Sequence, residues 1–362
     1  MSTIELRDLT KDFGSLVAVR NVDLEVAAGE VVCLLGPSGC GKTTTLRMIA
    51  GLESVTRGDV IVAGRRMNDL PPEKRDIAMV FQFYALYPSV TVGENIAFPL
   101  HHERLSRSQR QQRVLEVARL LHLDQVLGRL PGQISEGEKQ RVAVARAIIR
   151  DPNCFLFDEP LSRLDVELRQ TMRGQIKEVL SGLSKATVIV THDQLEALTM
   201  ADRVAIMREG VIEQVATPHE IFARPANVFV ASFIGTPQMN LLEARVAPVS
   251  NGRASLNIGS RSVAFAVDEA VAGMKSEAVT VGIRPRAFTP VAKAAPDTLT
   301  VAAELIEPMG SETLIHARAD AGPEVRVVIP REHKVRIGEI LHLRADPSQT
   351  HIFDGDGKAV RS

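Results

Sequence analysis

The chain of 362 residues carries 43 Lys and Arg against 44 Asp and Glu, without a basic block, which argues against a partner bound through a nucleic-acid backbone. Its length allows one large core and a smaller one, so two domains are expected. Cys33, Cys40 and Cys154 have no paired spacing that suggests a disulfide framework or a metal knuckle, which fits a reducing cytoplasm. Met1-Ser2-Thr3-Ile4-Glu5 lacks the basic and apolar regions of a signal peptide. No apolar run approaches the roughly eighteen residues of a spanning helix, so any membrane role is expected through a partner.

Residues 4–35 alternate apolar and polar positions, with breaks at Lys11-Asp12-Phe13-Gly14 and Ala27-Ala28-Gly29-Glu30, and predict a small antiparallel set. Phe13, in the first break, either packs or stacks on a base. The apolar run Val31–Leu35 reads as a buried parallel strand and leads into Gly36-Pro37-Ser38-Gly39-Cys40-Gly41-Lys42-Thr43. That octapeptide fits the phosphate-cradling pattern G-x-x-x-x-G-K-[ST], and Thr44-Thr45-Leu46-Arg47 opens the helix that the pattern requires. The glycines let backbone N–H groups face a phosphate chain at the positive end of the helix. Lys42 is expected to reach the terminal phosphates, and the Thr43 hydroxyl to hold Mg²⁺. Cys40, near a helix start, is expected to form its thiolate readily, so that alkylation inactivates and ATP protects.

Residues 58–64 and 76–81 read as short strands, the second leading up to Gln82. From Gly93 to about Gly128 the pattern is helical, with Ser106 in a start signal and Val114, Leu115, Ala118, Leu121 and Leu123 on one apolar face. Ile134-Ser135-Glu136-Gly137-Glu138 then opens another helix, where serine and glycine form either an ordinary cap or a second anion site. Phe155-Leu156-Phe157 delivers Asp158 and Glu159 at a strand's C-terminal end, where open parallel sheets place ligands. Beside a phosphate loop, Asp158 is assigned to Mg²⁺ through its waters and Glu159 to polarising the attacking water. The strand 186–190 ends in Thr191-His192-Asp193, a histidine at the same edge.

In order and spacing these pieces resemble the nucleotide-binding subunit of an ABC transporter, over about residues 4–235. The resemblance implies that Phe13 stacks on adenine, where tyrosine is commoner. It implies that Gln82 touches Mg²⁺ and senses the γ-phosphate, that Lys42 and Glu159 act in hydrolysis, and that His192 clamps the γ-phosphate. Residues 134–138 match the signature sequence, and Ser162-Arg163-Leu164-Asp165 the loop that crosses the dimer interface. Two subunits then meet head to tail, Ser135 and Gly137 of one closing on ATP held by the other. The stretch 81–87, with Phe81, Phe83, Tyr84 and Tyr87, resembles the groove that receives a helix of the membrane subunit; residue by residue these aromatics are equally compatible with core. The signature departs from the family pattern at Glu136, for glycine, and Glu138, for glutamine. Two carboxylates near a tetra-anion are expected to weaken ATP-driven closure, although Glu138 gains from the helix dipole.

Beyond residue 235 short strands are predicted at 241–246, 253–258, 262–267, 279–283, 300–306, 313–319, 325–329 and 340–345, a small barrel-like domain. Residues 233–240, 281–285 and 306–313 resemble the C-terminal regulatory domain of carbohydrate-importer ATPases of the maltose and glycerol-phosphate type. The fold class expected is an α/β P-loop nucleotide-binding domain with a helical subdomain and an antiparallel β subdomain, followed by an all-β OB-like regulatory domain. The nucleotide domain is placed at 1–235, with its helical subdomain near 90–150, and the regulatory or dimerisation domain at 236–362.

The function implied is an ATPase, using ATP and Mg²⁺, that energises a bacterial importer of sugars or sugar derivatives from the cytoplasmic face of the inner membrane. Transmembrane permease subunits and a second copy of the chain are the implied partners, with a periplasmic solute-binding protein indirectly. A soluble P-loop phosphotransferase leaves the signature, the 162–165 loop and His192 unexplained. ABC proteins acting on DNA or ribosomes usually carry a second cassette or long insertions, which this chain lacks.

Overall fold

The computed structural model describes residues 3–246, 254–258, 261–265, 278–319 and 322–360. The expected strand limits Arg253 and Val267, with Met1 and Ser2, lie outside the described residues. The chain divides into two compact units, Met1–Pro218 and His219–Ser362.

In the first unit, β1 (Ile4–Asp12) and β2 (Val17–Val26) pair antiparallel, with Ile4 opposite Val26 and Leu6 opposite Leu24. Buried Val22, Leu24 and Val26 alternate with exposed Asp23 and Glu25, the period of a strand with one wet face. β3 (Val31–Leu35) is buried at all five positions and is followed by α1 (Lys42–Ala50). β4 (Arg57–Val62) and β5 (Arg65–Arg66) complete the antiparallel sheet, in the order β2-β1-β4-β5.

Next come β6 (Ile77–Val80) and three helices, α2 (Val92–Ala97), α3 (Arg107–Leu120) and α4 (Glu136–Ile148). Each helix opens with a capping box: Thr91 with Glu94, Ser106 with Gln109, Ser135 with Glu138. The unit ends with β7 (Cys154–Asp158), α5 (Val166–Ser181), β8 (Ala186–Thr191), α6 (Gln194–Met200), β9 (Arg203–Arg208) and β10 (Val211–Ala216).

The central sheet runs β10-β9-β3-β8-β7-β6, parallel except at β10. β3, β7 and β8 are buried at every position and are mostly apolar, as strands covered on both faces are. Parallel strands end on one side, so the residues that follow β3, β6, β7 and β8 all leave the same sheet edge.

In the second unit α7 (Pro218–Ala223), whose first residue falls at the division, and α8 (Val228–Phe233) precede the strands. The strands are β11 (Asn240–Val246), β12 (Ala254–Ile258), β13 (Arg261–Phe265), β14 (Ala278–Ile283), β15 (Phe288–Val291), β16 (Thr298–Pro308), β17 (Glu312–Ala319), β18 (Glu324–Pro330), β19 (Ile340–Ala345) and β20 (Thr350–Phe353). They make two five-stranded sheets, β13-β12-β11-β14-β20 and β15-β19-β16-β17-β18. Leu242, Val281 and Ile283 of the first and Val301, Ile315 and Val327 of the second share one core. Sequence patterning misses β15 and β20. Each has only four residues, and Pro290 inside β15 reads as a strand breaker.

Candidate nucleotide site

The loop after β3 can be built only with glycine at two points. A Cβ on Gly36 would overlap the Met207 carbonyl oxygen, and one on Gly41 the Ala18 carbonyl oxygen. Gly41 also has φ 103°, outside the range of ordinary residues. The loop therefore lies against β9 and β2 and leaves its other side open.

Gly41 is the N-cap of α1 and supplies no side-chain acceptor, and the first turn has no acidic residue. The leading N–H groups of α1 thus meet no carboxylate of their own helix. The opposite end is closed by the buried Arg75, whose guanidinium donates to the carbonyls of Met48 (2.7 Å), Ile49 (2.8 Å) and Leu70 (2.8 Å). A cation at the C-terminus, with neither a side-chain cap nor an acidic residue in the first turn, leaves α1 poised for an anion. Lys42 is 6% exposed, and its Nζ donates to the carbonyls of Gly36 (2.7 Å) and Pro37 (2.8 Å). It spans the loop where phosphate oxygens would compete for it.

A cavity of about 370 Å³ is lined by Phe13, Leu16, Ala18, Ser38, Gly39, Gly41, Lys42, Thr43, Thr44 and Glu159. Phe13 is half exposed and has Lys11 Nζ 4.8 Å from its ring centroid. Cys40 is 4% exposed with its Sγ 3.6 Å from Lys42 Nζ. The alkylation expected for it therefore requires the loop to open first.

Thr43 Oγ1 lies 3.3 Å from Asp158 Oδ1. Burial pushes the Asp158 carboxyl above its ordinary pKa and Glu159 adds to the shift, against the Thr43 hydrogen bond, Arg47 and Lys42. The chain turns sharply after Asp158. Glu159 has φ 48°, and its N–H donates to the Val190 carbonyl at 2.9 Å, a sparsely populated backbone state held by its surroundings.

That turn aims the Glu159 carboxylate between two side chains. Gln82 Nε2 donates to Oε2 at 3.1 Å, and His192 Nδ1 stands 3.2 Å from Oε1. The Ser162 hydroxyl donates to the Glu159 carbonyl at 3.0 Å. Residues from the ends of β6, β7 and β8 thus converge within hydrogen-bonding reach beside the loop of β3.

Ser135, Gly137 and Asp165 do not line this cavity; they form a second group. Ser135 and Asp165 cap α4 and α5, and a Cβ on Gly137 would stand 2.9 Å from Leu168 Cδ2, so a larger residue there would have to displace the Leu168 side chain. The two acidic signature positions are both engaged within the chain. Glu138 Oε2 accepts from the Ser135 N–H and hydroxyl, both at 2.7 Å, and these bonds hold its carboxyl below the ordinary range. Glu136 pairs with Lys139 at 2.6 Å and is lowered by it.

Phe81 and Phe83 are exposed, with the Arg163 guanidinium 3.8 Å from the Phe83 ring centroid. Tyr87 packs on Phe98 at 4.3 Å between centroids, beside a hollow of about 170 Å³ lined by Phe81, Tyr84, Ala85, Pro99, Ala143 and Arg146.

Comparison with known proteins gives the family. Residues 19–162 match the family model described as ABC transporter, and 281–353 that described as TOBE domain. The sulfoquinovosyl glycerol transport ATP-binding protein SmoE of Agrobacterium fabrum is 46% identical over 98% of both chains. This chain belongs to the ABC transporter ATP-binding proteins. The trehalose/maltose import ATP-binding protein MalK of Thermococcus litoralis is 44% identical, over 99% of this chain and all of the relative.

Among solved structures, the dimeric post-hydrolysis state of the ATP-binding cassette MJ0796 bound to ADP and Pi is 32% identical at a TM-score of 0.53. It covers 59% of this chain and 98% of that one. The ATPase therefore joins an ATP-binding cassette to an all-β TOBE domain. Among the described residues no helix is long and apolar enough to cross a membrane. Sequence reasoning passed over Leu16 and Ala18, which are close enough to Phe13 to be found as its pocket neighbours. It also passed over Arg169 and Glu196, whose meeting depends on tertiary packing.

Proposed function

We propose that this ATPase energises an importer of sugars or sugar derivatives, working as a head-to-tail pair of copies on permease subunits at the cytoplasmic face of the inner membrane. The convergence of Gln82, Glu159 and His192 beside the uncapped start of α1 carries this reading. The loop from Gly36 through Pro37, Ser38, Gly39, Cys40 and Gly41 to Thr44 wraps the phosphates, and Phe13 offers its open ring face to adenine. Lys42 exchanges loop carbonyls for phosphate oxygens at the terminal phosphates.

Thr43, Gln82 and Asp158 would hold Mg²⁺. They are hard oxygen donors, and Asp158 is a carboxylate whose burial is costly without a cation. That ion supplies charge neutralisation at the phosphates when bound. Glu159 orients water and accepts its proton, Gln82 and His192 hold the Glu159 carboxylate in place, and His192 contacts the γ-phosphate.

Ser135 and Gly137, with Asp165 on the adjoining loop, serve the nucleotide of the second copy, since they lie outside their own chain's cavity. The exposed aromatics at Phe81 and Phe83 receive the permease, and a periplasmic solute-binding protein acts through it. We place the functional division after residue 235, with the β unit serving regulation or dimerisation. The relatives named for sugar and glycerol-phosphate import support the cargo class. Co-purification with the permease and ATPase assays against sugars test it: stimulation by a sugar is expected, and stimulation only by an inorganic ion or a polyamine would contradict it.

A further inference from the structure

His192 is half exposed, so packing does not fix its orientation. Its chain neighbours do. Thr191 Oγ1 donates to Glu196 Oε2 at 2.6 Å and accepts from the Asp193 N–H at 3.0 Å. Asp193 Oδ1 caps α6 by accepting from the N–H groups of Leu195 (2.8 Å) and Glu196 (3.1 Å). Glu196 is 3% exposed, and a carboxylate there needs a cation.

Arg169, one turn into α5, stands next to it. Its Nε is 3.8 Å from Glu196 Oε1, and its NH1 donates to Asp193 Oδ2 at 3.4 Å. The same guanidinium donates through NH2 to the carbonyl of Leu164 at 3.0 Å, in the 162–165 loop. One planar, rigid group therefore touches the loop on one side and both residues that set the start of α6 on the other.

We propose that Arg169 is a positioning residue that carries the state of the 162–165 loop to His192. A shift of the Leu164 carbonyl moves the guanidinium, which moves Asp193 and with it the backbone on which His192 stands. The His192 contact to Glu159 thus answers to whatever engages the loop, including a second copy of the chain. This rests on the reading of Glu159 and His192 as the hydrolytic pair.

The test compares steady-state turnover, KM and thermal midpoint of the full chain with Arg169→Met, Arg169→Lys, Glu196→Gln and Arg169→Met/Glu196→Gln. Arg169→Met should lower kcat roughly 10- to 100-fold while KM stays within about twofold of the parent. It should also lower the thermal midpoint, because Glu196 loses its cation. The double variant should regain the midpoint without regaining kcat, since the link to Leu164 stays broken. Arg169→Lys should keep the midpoint and recover only part of kcat.

Recovery of midpoint and kcat together in the double variant would reduce Arg169 to charge compensation and overturn the proposal. So would unchanged kcat in folded Arg169→Met. If that single variant does not fold, the double variant decides. Glu159→Gln separates the two readings: if it turns over normally the hydrolytic pair itself is wrong, whereas loss there beside normal Arg169→Met sinks the coupling alone.

Discussion

Two helix starts carry the anion chemistry proposed for this ATPase, and they are built in opposite ways. α1 opens at Gly41 with no side-chain acceptor and no acidic residue in its first turn. α4 opens at Ser135, where Glu138 already fills the cap and takes both the N–H and the hydroxyl of the serine. An uncapped helix start invites an outside anion, whereas a capped one is satisfied internally. In the proposed scheme the first would hold phosphate in a single chain, whereas the second would have to yield Glu138 before Ser135 could serve a second copy's nucleotide. On the proposed two-copy reading, the acidic signature would set an order of events, binding at α1 and then engagement at α4.

The strongest way to break the contrast is at α1. Lys42→Ala should lower turnover by about 10²–10³-fold, the scale of losing a charge-stabilising group, and weaken nucleotide binding in a fluorescent-nucleotide titration; normal binding would remove α1 from the account. Ser135→Ala should leave nucleotide binding by one chain within about twofold while abolishing ATP-dependent association, and should weaken α4 by about 0.5–2 kcal/mol. Loss of binding in the single chain would erase the distinction between the two starts.

Asp158→Asn should leave the nucleotide-free chain at least as stable as the parent, because burial makes the charged carboxylate costly there and raises its pKa. The added thermal protection from Mg²⁺ with ATP should disappear. Full protection in that variant would place the ion elsewhere.

Glu138→Gln keeps the capping box and removes the charge, so it should lower the ATP concentration for half-maximal association about three- to fivefold, roughly 1 kcal/mol. An unchanged midpoint would show that the carboxylate does not oppose closure. The smallest effect is on pH. The Glu138 pKa is lowered in the folded chain, so its contribution is complete above the ordinary glutamate value of about 4.3 and is lost as pH falls through the lower folded value. Glu138→Gln should flatten that part of the thermal-midpoint profile.

The contrast was half visible in the sequence. The bare start of α1 follows from the glycines of Gly36-Pro37-Ser38-Gly39-Cys40-Gly41, and the serine–glutamate spacing of Ser135 and Glu138 is a capping signal. The strand ends at Asp158 and His192 were readable from buried apolar runs, because parallel strands covered on both faces lose all polar alternation. Other features were out of reach for a local reason. That Lys42 bonds its own loop's carbonyls, that Glu159 turns through positive φ to meet Gln82 and His192, and that Arg169 joins two helices are products of packing between distant segments. β15 and β20 were hidden by their length and by Pro290.

The association state of the Glu159→Gln chain, followed by light scattering with and without Mg²⁺ and ATP, tests the ordered, two-copy account most directly. ATP should bind and then convert monomer to dimer, or tighten a dimer already present, and Ser135→Ala in the same background should prevent the conversion while ATP still binds. ATP binding with no change in association or shape would contradict the account.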